Sequence, residues 1–496
     1  MKILLISPSW GNLYGSYKNV ARVGVFYPPL GLCYVSASLK QKGHDVEIID
    51  MEAEGLNIEQ TKEKALQYQP DLIGITSVSP LIDQAQAVAG HLKSLDKPIV
   101  LGGPHVTIVE REALRDCPHF DYGVIGEGEG TICELVEALR EKRPLEQVKG
   151  ILYRADDDVV FTGWREREQD IDSLPFPDRS RLKFDRYLWS VPKKGTLILA
   201  TILSTRGCPF QCIFCSQDKM YGRVVRFRSP HKVVDEIEDI VKNTPARHII
   251  FCDDTLTLKK SHILGICDEI IKRNIKITFE GWTRANTIDE EILAKMKEAG
   301  LARVSFGIES GDPQVLKIIK KGVTLEEVEK AYKIAKKLGL ETRGSVMIGH
   351  PGETKETVWR TINFIRNLKE LDHPYLNVAM PYPGTELREM ALRSEHGIKL
   401  LSTDYTDLRR YDNAIMEIND LKPNDLIKLQ RRGLLLAYMT PRRIWYNLTR
   451  AGLKSGLSNG AAFCLSFAKG LLKEARLGLW KTLKLSSVRR SQSERQ

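Results

Sequence analysis

The chain has 496 residues, of which 42% are hydrophobic and 28% are charged, and this ordinary globular composition excludes wholesale disorder. Its net charge of +10 comes from residues 441–496, which hold twelve Lys and Arg against two Glu and leave 62 basic and 62 acidic residues elsewhere. We find neither a secretory signal nor a window of about 18 apolar residues, so we expect a cytoplasmic protein without a spanning helix. Its nine cysteines then favour metal or cluster ligation over disulfides.

The first 145 residues alternate buried strands with helices. Near-continuous apolar strands separated by helices predict a parallel sheet covered on both faces. We therefore predict a doubly wound, flavodoxin-like α/β domain over residues 1–145, with ligands binding at the carboxyl ends of its strands. The predicted strands span residues 2–7, 45–51, 72–78, 98–103 and 122–128.

Residues 146–195 form a different kind of segment, because a predicted hairpin with an Asp-rich turn precedes a stretch rich in Pro and charge. We interpret the whole segment as a linker. A second strand–helix series then covers residues 196–400 and contains six units. A complete TIM barrel has eight such units, so six predict a partial (β/α)6 barrel with its chemistry at the strand carboxyl ends. The predicted strands span residues 197–204, 248–254, 276–282, 302–309, 342–349 and 375–382.

Residues 401–496 are predicted to be a helical and basic carboxyl-terminal region. In its tail, Trp445, Trp480, Phe463 and Phe467 lie among leucines and basic residues, which is typical of an interfacial amphipathic helix. The two interpretations left open are peripheral contact with the inner face of a membrane and a helical cap on the barrel. Nucleic acid also binds basic tails, but the aromatic residues disfavour it here.

Three cysteines follow the first barrel strand, in the segment STRGCPFQCIFCSQ. Cys208, Cys212 and Cys215 have the spacing C-x3-C-x2-C. A structural zinc site uses four ligands, and Cys252 at the end of the next predicted strand could supply the fourth. A [4Fe-4S] cluster held by three thiolates would instead leave one iron open to another ligand.

The cysteine spacing, an aromatic residue (Phe214) before the last cysteine, and the six-unit barrel together resemble the radical S-adenosylmethionine (SAM) superfamily. The resemblance implies that the three cysteines hold a [4Fe-4S] cluster whose open iron binds SAM. It also implies an external electron donor of the flavodoxin or ferredoxin type. The residues expected to contact SAM by this resemblance are Phe214, Asp254, Arg284, Glu309, Ser310, Ile348 and Gly349. Tyr382, after the sixth strand, is a candidate for contact with substrate.

The first domain resembles the cobalamin-binding domain that precedes the barrel in one large radical SAM subfamily. The segments that carry this resemblance are PPLGL, ITSVSP, GGPHVT and GEGEGT, in that order. The motif D-x-H-x-x-G is missing from the sequence, so we expect no histidine of that motif on cobalt. The resemblance implies that the cobalamin pocket is lined by Ser77, Ser79, Gly102, Gly103, Gly126, Glu127, Gly128 and Glu129.

These resemblances predict a radical SAM enzyme that uses a [4Fe-4S] cluster, SAM and cobalamin. The leading hypothesis is methylation of an unactivated carbon in a hydrophobic small molecule or lipid. A radical cyclisation or rearrangement, as in the anaerobic cyclases of tetrapyrrole synthesis, is the alternative within the subfamily. The alternative from another class is a zinc-stabilised, membrane-associated module without catalytic activity.

Overall fold

The computed structural model describes residues 1–10, 27–156, 158–409 and 413–450 of the protein, with side chains to residue 446. A seven-stranded sheet forms the amino-terminal part, in the order β2-β1-β3-β4-β5-β6-β7. Its strands are β1 (Lys2–Ser7), β2 (Asp45–Asp50), β3 (Leu72–Thr76), β4 (Ile99–Gly102), β5 (Tyr122–Val124), β6 (Ile151–Ala155) and β7 (Asp158–Phe161). The first five strands are parallel, and their 2-1-3-4-5 order is that of a flavodoxin-like domain, as predicted.

Strand β1 shows why this sheet is covered on both faces. Ile3 and Leu5 belong to one hydrophobic core, whereas Leu4 and Ile6 belong to another. Because alternate side chains of a strand point to opposite faces, both faces of the sheet are buried. The helices of this part are α1 (Leu30–Gln41), α2 (Met51–Glu54), α3 (Ile58–Tyr68), α4 (Ile82–Leu92), α5 (Pro104–Val109), α6 (Arg111–Asp116) and α7 (Gly128–Glu141).

The segment predicted as a linker contributes strands to two sheets. Its hairpin forms as β6 and β7, and β6 pairs antiparallel with β5, so the hairpin extends the first sheet beyond residue 145. Further along, β8 (Leu188–Val191) pairs antiparallel with the first barrel strand, β9 (Gly195–Ile202). The sequence did not predict β8, because its short alternating pattern lies in a segment rich in Pro and charge.

The second seven-stranded sheet has the order β16-β15-β14-β13-β12-β9-β8. The strands from β9 to β16 in this sheet are parallel, which confirms the predicted six-unit barrel. The strands not yet given are β10 (Thr205–Arg206), β11 (Arg226–Phe227), β12 (His248–Phe251), β13 (Thr278–Thr283), β14 (Leu301–Glu309), β15 (Glu341–Ile348) and β16 (His373–Val378). Strands β10 and β11 pair with each other beside the cysteine segment.

Helices follow most barrel strands. They are α8 (Gln217–Met220), α9 (Pro230–Asn243), α10 (Lys260–Lys272), α11 (Glu290–Glu298), α12 (Pro313–Ile318), α13 (Leu325–Lys337), α14 (Lys355–Asn367) and α15 (Glu386–Leu392). Short 3-10 helices lie at Ser79–Leu81, Lys93–Leu95, Leu145–Gln147, Phe184–Arg186, Ala285–Thr287, Glu395–Gly397 and Tyr405–Asp407. None of the helices in the described ranges is long and apolar enough to cross a membrane.

The region after residue 400 is only partly helical. A hairpin of β17 (Ile398–Leu400) and β18 (Met416–Ile418) comes first, so the helical prediction was wrong for residues 416–418. Helices α16 (Pro423–Tyr438) and α17 (Pro441–Arg450) follow. Gly433 lets α16 approach the sheet, since a Cβ there would lie 2.5 Å from Leu376 Cδ2 on β16. The tail predicted to be interfacial lies outside the described residues from 451 onward.

Candidate active site

The cysteine segment lies at the carboxyl end of β9, where the barrel fold predicts chemistry. Its backbone is held by the β10–β11 pair, and the amide of Cys208 donates to the carbonyl of Gly222 at 3.1 Å. Gly207 has φ 106°, and a Cβ there would lie 2.7 Å from the carbonyl oxygen of Val224. Only glycine fits that position, so the tight turn places the cysteines at the barrel mouth.

Cys208, Cys212 and Cys215 line one cavity of about 300 Å³. Among the described residues, no three His, Cys, Asp or Glu side chains are close enough to hold a single metal ion. The three thiols line one space at the barrel mouth. That arrangement fits a cluster of several irons, which is larger than a lone zinc ion.

Glu309 and Lys321 form a buried ion pair on the wall of this cavity. The carboxylate of Glu309 accepts a hydrogen bond from Lys321 Nζ at 2.9 Å. Glu309 ends β14 with φ 69°, a left-handed conformation that is rare for a non-glycine residue. A bulge between Gly307 and Glu309 in the pairing with β15 accompanies it. Such strain concentrates at functional sites, and a SAM contact by Glu309 stays a prediction.

Asp254 and Arg284 also line the cavity, as predicted from their positions after β12 and β13. Burial, with the carboxylate of Asp253 second, raises the pKa of Asp254 to about 7. Asp253 itself does not face the cavity mouth, because it accepts hydrogen bonds from Ser204 Oγ at 2.7 Å and Thr205 Oγ1 at 2.6 Å. Its role is to fix the backbone that enters the cysteine segment.

Phe214 lines the cavity, whereas three other residues assigned to SAM do not. Ser310 is buried and lies 3.1 Å from Thr361 Oγ1. Ile348 is buried at the end of β15, and the amide of Gly349 donates to Glu353 Oε2 at 2.6 Å. A SAM contact by any of these three stays a prediction.

The residue after Gly349 is a fully buried histidine. Burial lowers the pKa of His350 to about 4, although a hydrogen bond with the backbone of Glu309 opposes this shift. Its ring centroid lies 6.0 Å from that of Phe214. The neutral imidazole therefore packs behind the aromatic residue of the cysteine segment.

Tyr382 is partly buried and packs against the main core, and its hydroxyl donates to the carbonyl of Leu408 at 3.4 Å. It does not line the cysteine cavity. No local pattern marked Lys321, which lies after α12 at the end of a run of lysines, or Gln217, which only follows Cys215 closely. Both line the cavity, together with Thr255, Trp282, Thr283 and Arg223.

A second cavity of about 420 Å³ opens at the carboxyl ends of the first sheet. Seven of the eight residues assigned to cobalamin line it, namely Ser77, Gly102, Gly103, Gly126, Glu127, Gly128 and Glu129. A Cβ on Gly31 or Gly102 would meet no atom within 4 Å, so these glycines keep the space open. Gly103 has φ 91°, and a Cβ there would lie 2.5 Å from Thr76 Oγ1. This glycine cradle fits a bulky ligand that approaches the backbone.

Ser79, the eighth of those residues, is not part of the cavity lining. Its hydroxyl lies 3.1 Å from Nδ1 of His105, a buried residue whose pKa burial lowers to about 4. No histidine lines this cavity in the described part of the chain. That cobalt takes no histidine from D-x-H-x-x-G stays a prediction.

The two glutamates of GEGEGT join the two parts of the molecule. Glu127 accepts hydrogen bonds from Arg206 Nη1 at 3.1 Å and from Arg226 Nη1 at 3.0 Å, and Glu129 accepts from Arg206 Nη2. The guanidinium of Arg206 also lies over the ring of Tyr34, 5.1 Å from its centroid. The glutamates therefore line the cavity while pairing with arginines of the barrel part. Sequence alone could not show these partners.

The two cavities meet at Gln217, which lines both of them. Its side-chain oxygen is buried and has no hydrogen-bond partner among the described residues. A third cavity, of about 710 Å³, shares Tyr221 with the glycine-cradle cavity and shares Asp218 and Arg223 with the cysteine cavity. The segment that follows Cys215 is therefore the meeting point of all three spaces.

The sequence matches two family models in the order that the fold suggests. The model of the radical SAM superfamily covers residues 202–365, and the model of the B12-binding domain covers residues 18–136. The solved structure of TsrM from Kitasatospora setae, a radical SAM methyltransferase with cobalamin and a [4Fe-4S] cluster bound, has a TM-score of 0.69. It is 18% identical and covers 89% of both chains, which confirms the two-part fold.

Two curated relatives match most of the chain. An uncharacterized methyltransferase of Pyrococcus horikoshii is 35% identical and covers 89% of this chain and 93% of its own. The anaerobic magnesium-protoporphyrin IX monomethyl ester cyclase of Rubrivivax gelatinosus is 32% identical, and the match covers 78% of this chain and 69% of that protein. The protein is an enzyme with a [4Fe-4S] cluster, SAM and cobalamin as cofactors, so the zinc-module alternative is wrong. The chain belongs to the radical SAM superfamily, in the family whose members carry a B12-binding domain before the radical SAM domain.

Proposed function

We propose that this enzyme methylates an unactivated carbon of a hydrophobic small molecule or lipid. The observation that carries the proposal is the meeting of the glycine-cradle cavity and the cysteine cavity at Gln217. A substrate at that point reaches both cofactor sites at once. The match of a relative named as a methyltransferase over 93% of its length supports methylation over other chemistry.

The cofactors supply the reactive groups, namely a deoxyadenosyl radical from SAM and the cluster, and a methyl group from cobalamin. The side chains bind and orient. Cys208, Cys212 and Cys215 would hold the cluster, and the Glu309–Lys321 pair would contact SAM. The unpartnered oxygen of Gln217 would accept a hydrogen bond from the substrate between the two sites.

Exposed apolar side chains around the three cavities support a hydrophobic substrate. Trp10 lines the glycine-cradle cavity, Trp282 lines the cysteine cavity, and Trp164 with Val224 lines the third. Their exposed fractions are 37%, 38%, 44% and 76%. Exposed apolar side chains at the rim of a cavity offer contact area to an apolar ligand. We therefore propose that the third cavity admits the substrate to the junction.

The second candidate function is radical cyclisation or rearrangement. It is favoured by the 32% identity to the anaerobic magnesium-protoporphyrin IX monomethyl ester cyclase, which belongs to the same family. The cyclase interpretation uses the same three cofactors and predicts no net methyl transfer. The two functions therefore differ in their products and can be separated by one experiment.

That experiment starts from protein reconstituted anaerobically with iron, sulfide and hydroxocobalamin. It is incubated with a reductant, SAM carrying a deuterated methyl group, and an organic-solvent extract of cells. Methylation predicts S-adenosylhomocysteine and 5′-deoxyadenosine together, with the deuterated methyl group in an extractable product. Formation of 5′-deoxyadenosine without S-adenosylhomocysteine would refute methylation and favour cyclisation. The Cys208→Ala variant is the control and should form neither nucleoside.

The proposed partners follow from this chemistry. An external flavodoxin- or ferredoxin-like protein would supply the electron that reduces the cluster. We also propose a cytoplasmic location with peripheral contact to the inner face of a membrane, supported by the aromatic and basic residues after residue 450.

A further inference from the structure

Arg284 lies against the cysteine segment on two sides. Its Nη1 donates to the sulfur of Cys212 at 3.7 Å, and its guanidinium carbon lies 3.6 Å from the centroid of the Phe210 ring. The residue is 5% exposed. A planar cation that stacks on one residue of a loop and donates to another is fixed in orientation. The positive charge of Arg284 is therefore held at one cluster ligand.

The other edge of the guanidinium is anchored to backbone. Its Nη2 donates to the carbonyls of Lys321 and Gly322, the latter at 3.4 Å. No carboxylate of the described residues forms an ion pair with Arg284, and its Nε has no partner among them. Glu309, which lines the same cavity, is paired with Lys321. The guanidinium of Arg284 thus lies beside Cys212 without an ion pair to a described carboxylate.

The other two thiols have backbone donors instead. The backbone of Phe210 donates a hydrogen bond to Cys208, and the backbone of Gln217 donates one to Cys215. In the described part of the chain, Arg284 is the side chain that donates to any of the three sulfurs. It is therefore the donor that a substitution can remove without altering the backbone.

Hydrogen bonds and positive charge at a ligand sulfur stabilise the reduced, more negative state of an iron–sulfur cluster. We propose that Arg284 is a positioning residue that raises the reduction potential of the [4Fe-4S] cluster through Cys212, and so eases its reduction by the external donor. This differs from the SAM contact expected from the family resemblance, because it acts before SAM binds. It is also independent of whether the enzyme methylates or cyclises.

The test is an EPR-monitored redox titration of reconstituted protein without SAM or substrate. Arg284→Met removes both charge and donor, Arg284→Gln keeps a neutral donor, and Arg284→Lys keeps the charge. We expect the Met variant to lower the equilibrium constant for reduction about tenfold, which is about 59 mV for a one-electron couple. The Gln and Lys variants should fall between it and the wild type.

Arg223→Met is the matched control. Arg223 lines the same cavity, but its side chain is 54% exposed, and its Nη2 lies 3.3 Å from Asp218 Oδ2. Losing its charge should leave the potential unchanged. Equal potentials for wild type and the Gln and Met variants, at equal iron and sulfide content, would overturn the proposal. If the Met variant does not take up the cluster, the reduction potentials of the Gln and Lys variants are compared with that of the wild type by the same criterion.

Discussion

Glu309 has a conformation that depends on its neighbour Gly307. A Cβ on Gly307 would lie 2.3 Å from Glu309 Oε1 and 2.7 Å from Lys321 Nζ. Both atoms belong to the ion pair on the wall of the cysteine cavity. Because Gly307 has no side chain, the space in which this ion pair forms stays free.

Gly307→Ala should displace the Glu309–Lys321 pair from its place on the cavity wall while leaving the cysteines in place. We expect SAM binding to reconstituted protein, measured by equilibrium dialysis, to weaken at least about tenfold at unchanged iron content. The control Gly130→Ala lies in α7, where a Cβ would stand 3.4 Å from Arg165 Nε, and it should bind SAM normally. Normal SAM binding by Gly307→Ala would contradict the role of this pair.

Glu353 makes stability depend on pH. Burial raises its pKa to about 7, although the amides of Gly349 and His350 donate to it. The unfolded chain releases this proton near pH 4.5, so the carboxylate destabilises the fold increasingly as pH rises from 4.5 to 7. Glu353→Gln keeps an acceptor without the charge. The melting temperature of Glu353→Gln minus that of the wild type should increase from pH 5 to pH 8. The corresponding gain in the relative free energy of unfolding is about 3 kcal/mol at most. A difference in melting temperature between this variant and the wild type that does not change with pH would refute the role of Glu353.

Residues of the site were predictable when a local pattern marks them. The cysteine spacing located the cluster segment, and the end of a buried strand located Asp254, Arg284 and Glu309. Lys321 was missed because it reaches Glu309 from a loop twelve residues later, and nothing local distinguishes it from its neighbouring lysines. Pairing across a fold is set by tertiary structure, which one sequence does not reveal.

At the scale of elements, the start of α7 connects the two parts of the molecule. Arg206 and Arg226 belong to the β10–β11 pair beside the cysteine segment, and both reach Glu127. Glu127 directly precedes α7 and lines the glycine-cradle cavity. One carboxylate therefore links the proposed cobalamin site to the segment that holds the cluster.

Glu127→Gln should weaken this link, because two buried guanidinium groups lose the charge that they share. Breaking a buried ion pair costs about 3–5 kcal/mol, and Glu129 still partners Arg206, so we expect the lower value. Hydroxocobalamin affinity, measured by spectral titration, should fall together with the melting temperature. Glu134→Gln is the control, since the Glu134–Arg165 pair is about one-third exposed and contributes less than about 1 kcal/mol. Equal cobalamin affinity in the two variants would contradict the link.

Regular elements were more predictable than the pairing of irregular ones. The six parallel barrel strands recur in a regular strand–helix alternation, and each lies within a few residues of its predicted range. By contrast, β8 and β18 are short strands that stand outside this alternation. The attachment of the β6–β7 hairpin to β5 likewise depends on which sheet edge is free, and the sequence does not encode that locally.

At the scale of the whole molecule, α17 lies at the end of the barrel opposite the active site. Arg442 pairs with Asp372 just before β16, and the hydroxyl of Tyr446 donates to Glu341, the first residue of β15. The cysteine cavity lies at the carboxyl ends of the same strands. Eight residues of β15 at about 3.3 Å each separate the two ends by more than about 20 Å.

The first basic residues after Pro441 are therefore structural. Arg443 is buried and donates to backbone carbonyls at the end of α14 and at its neighbours. These carbonyls belong to Ile365, Arg366, Leu368, Leu371 and Ala437. Residues 451–496 keep nine Lys and Arg against two Glu. Any membrane contact made by charge would thus come from the segment after Arg450, and a deletion that tests it should begin there.

Removal of residues 451–496 should abolish binding to anionic vesicles and leave the fold intact. Each basic residue near an anionic surface contributes about 1 kcal/mol, so the deletion removes most of the attraction. Flotation with phosphatidylserine vesicles measures this, and phosphatidylcholine vesicles serve as the control because they carry no net charge. The melting temperature should stay unchanged, whereas a deletion that starts at Pro441 should lower it by removing Arg443. Undiminished flotation of the shorter deletion would show that the tail does not make the membrane contact.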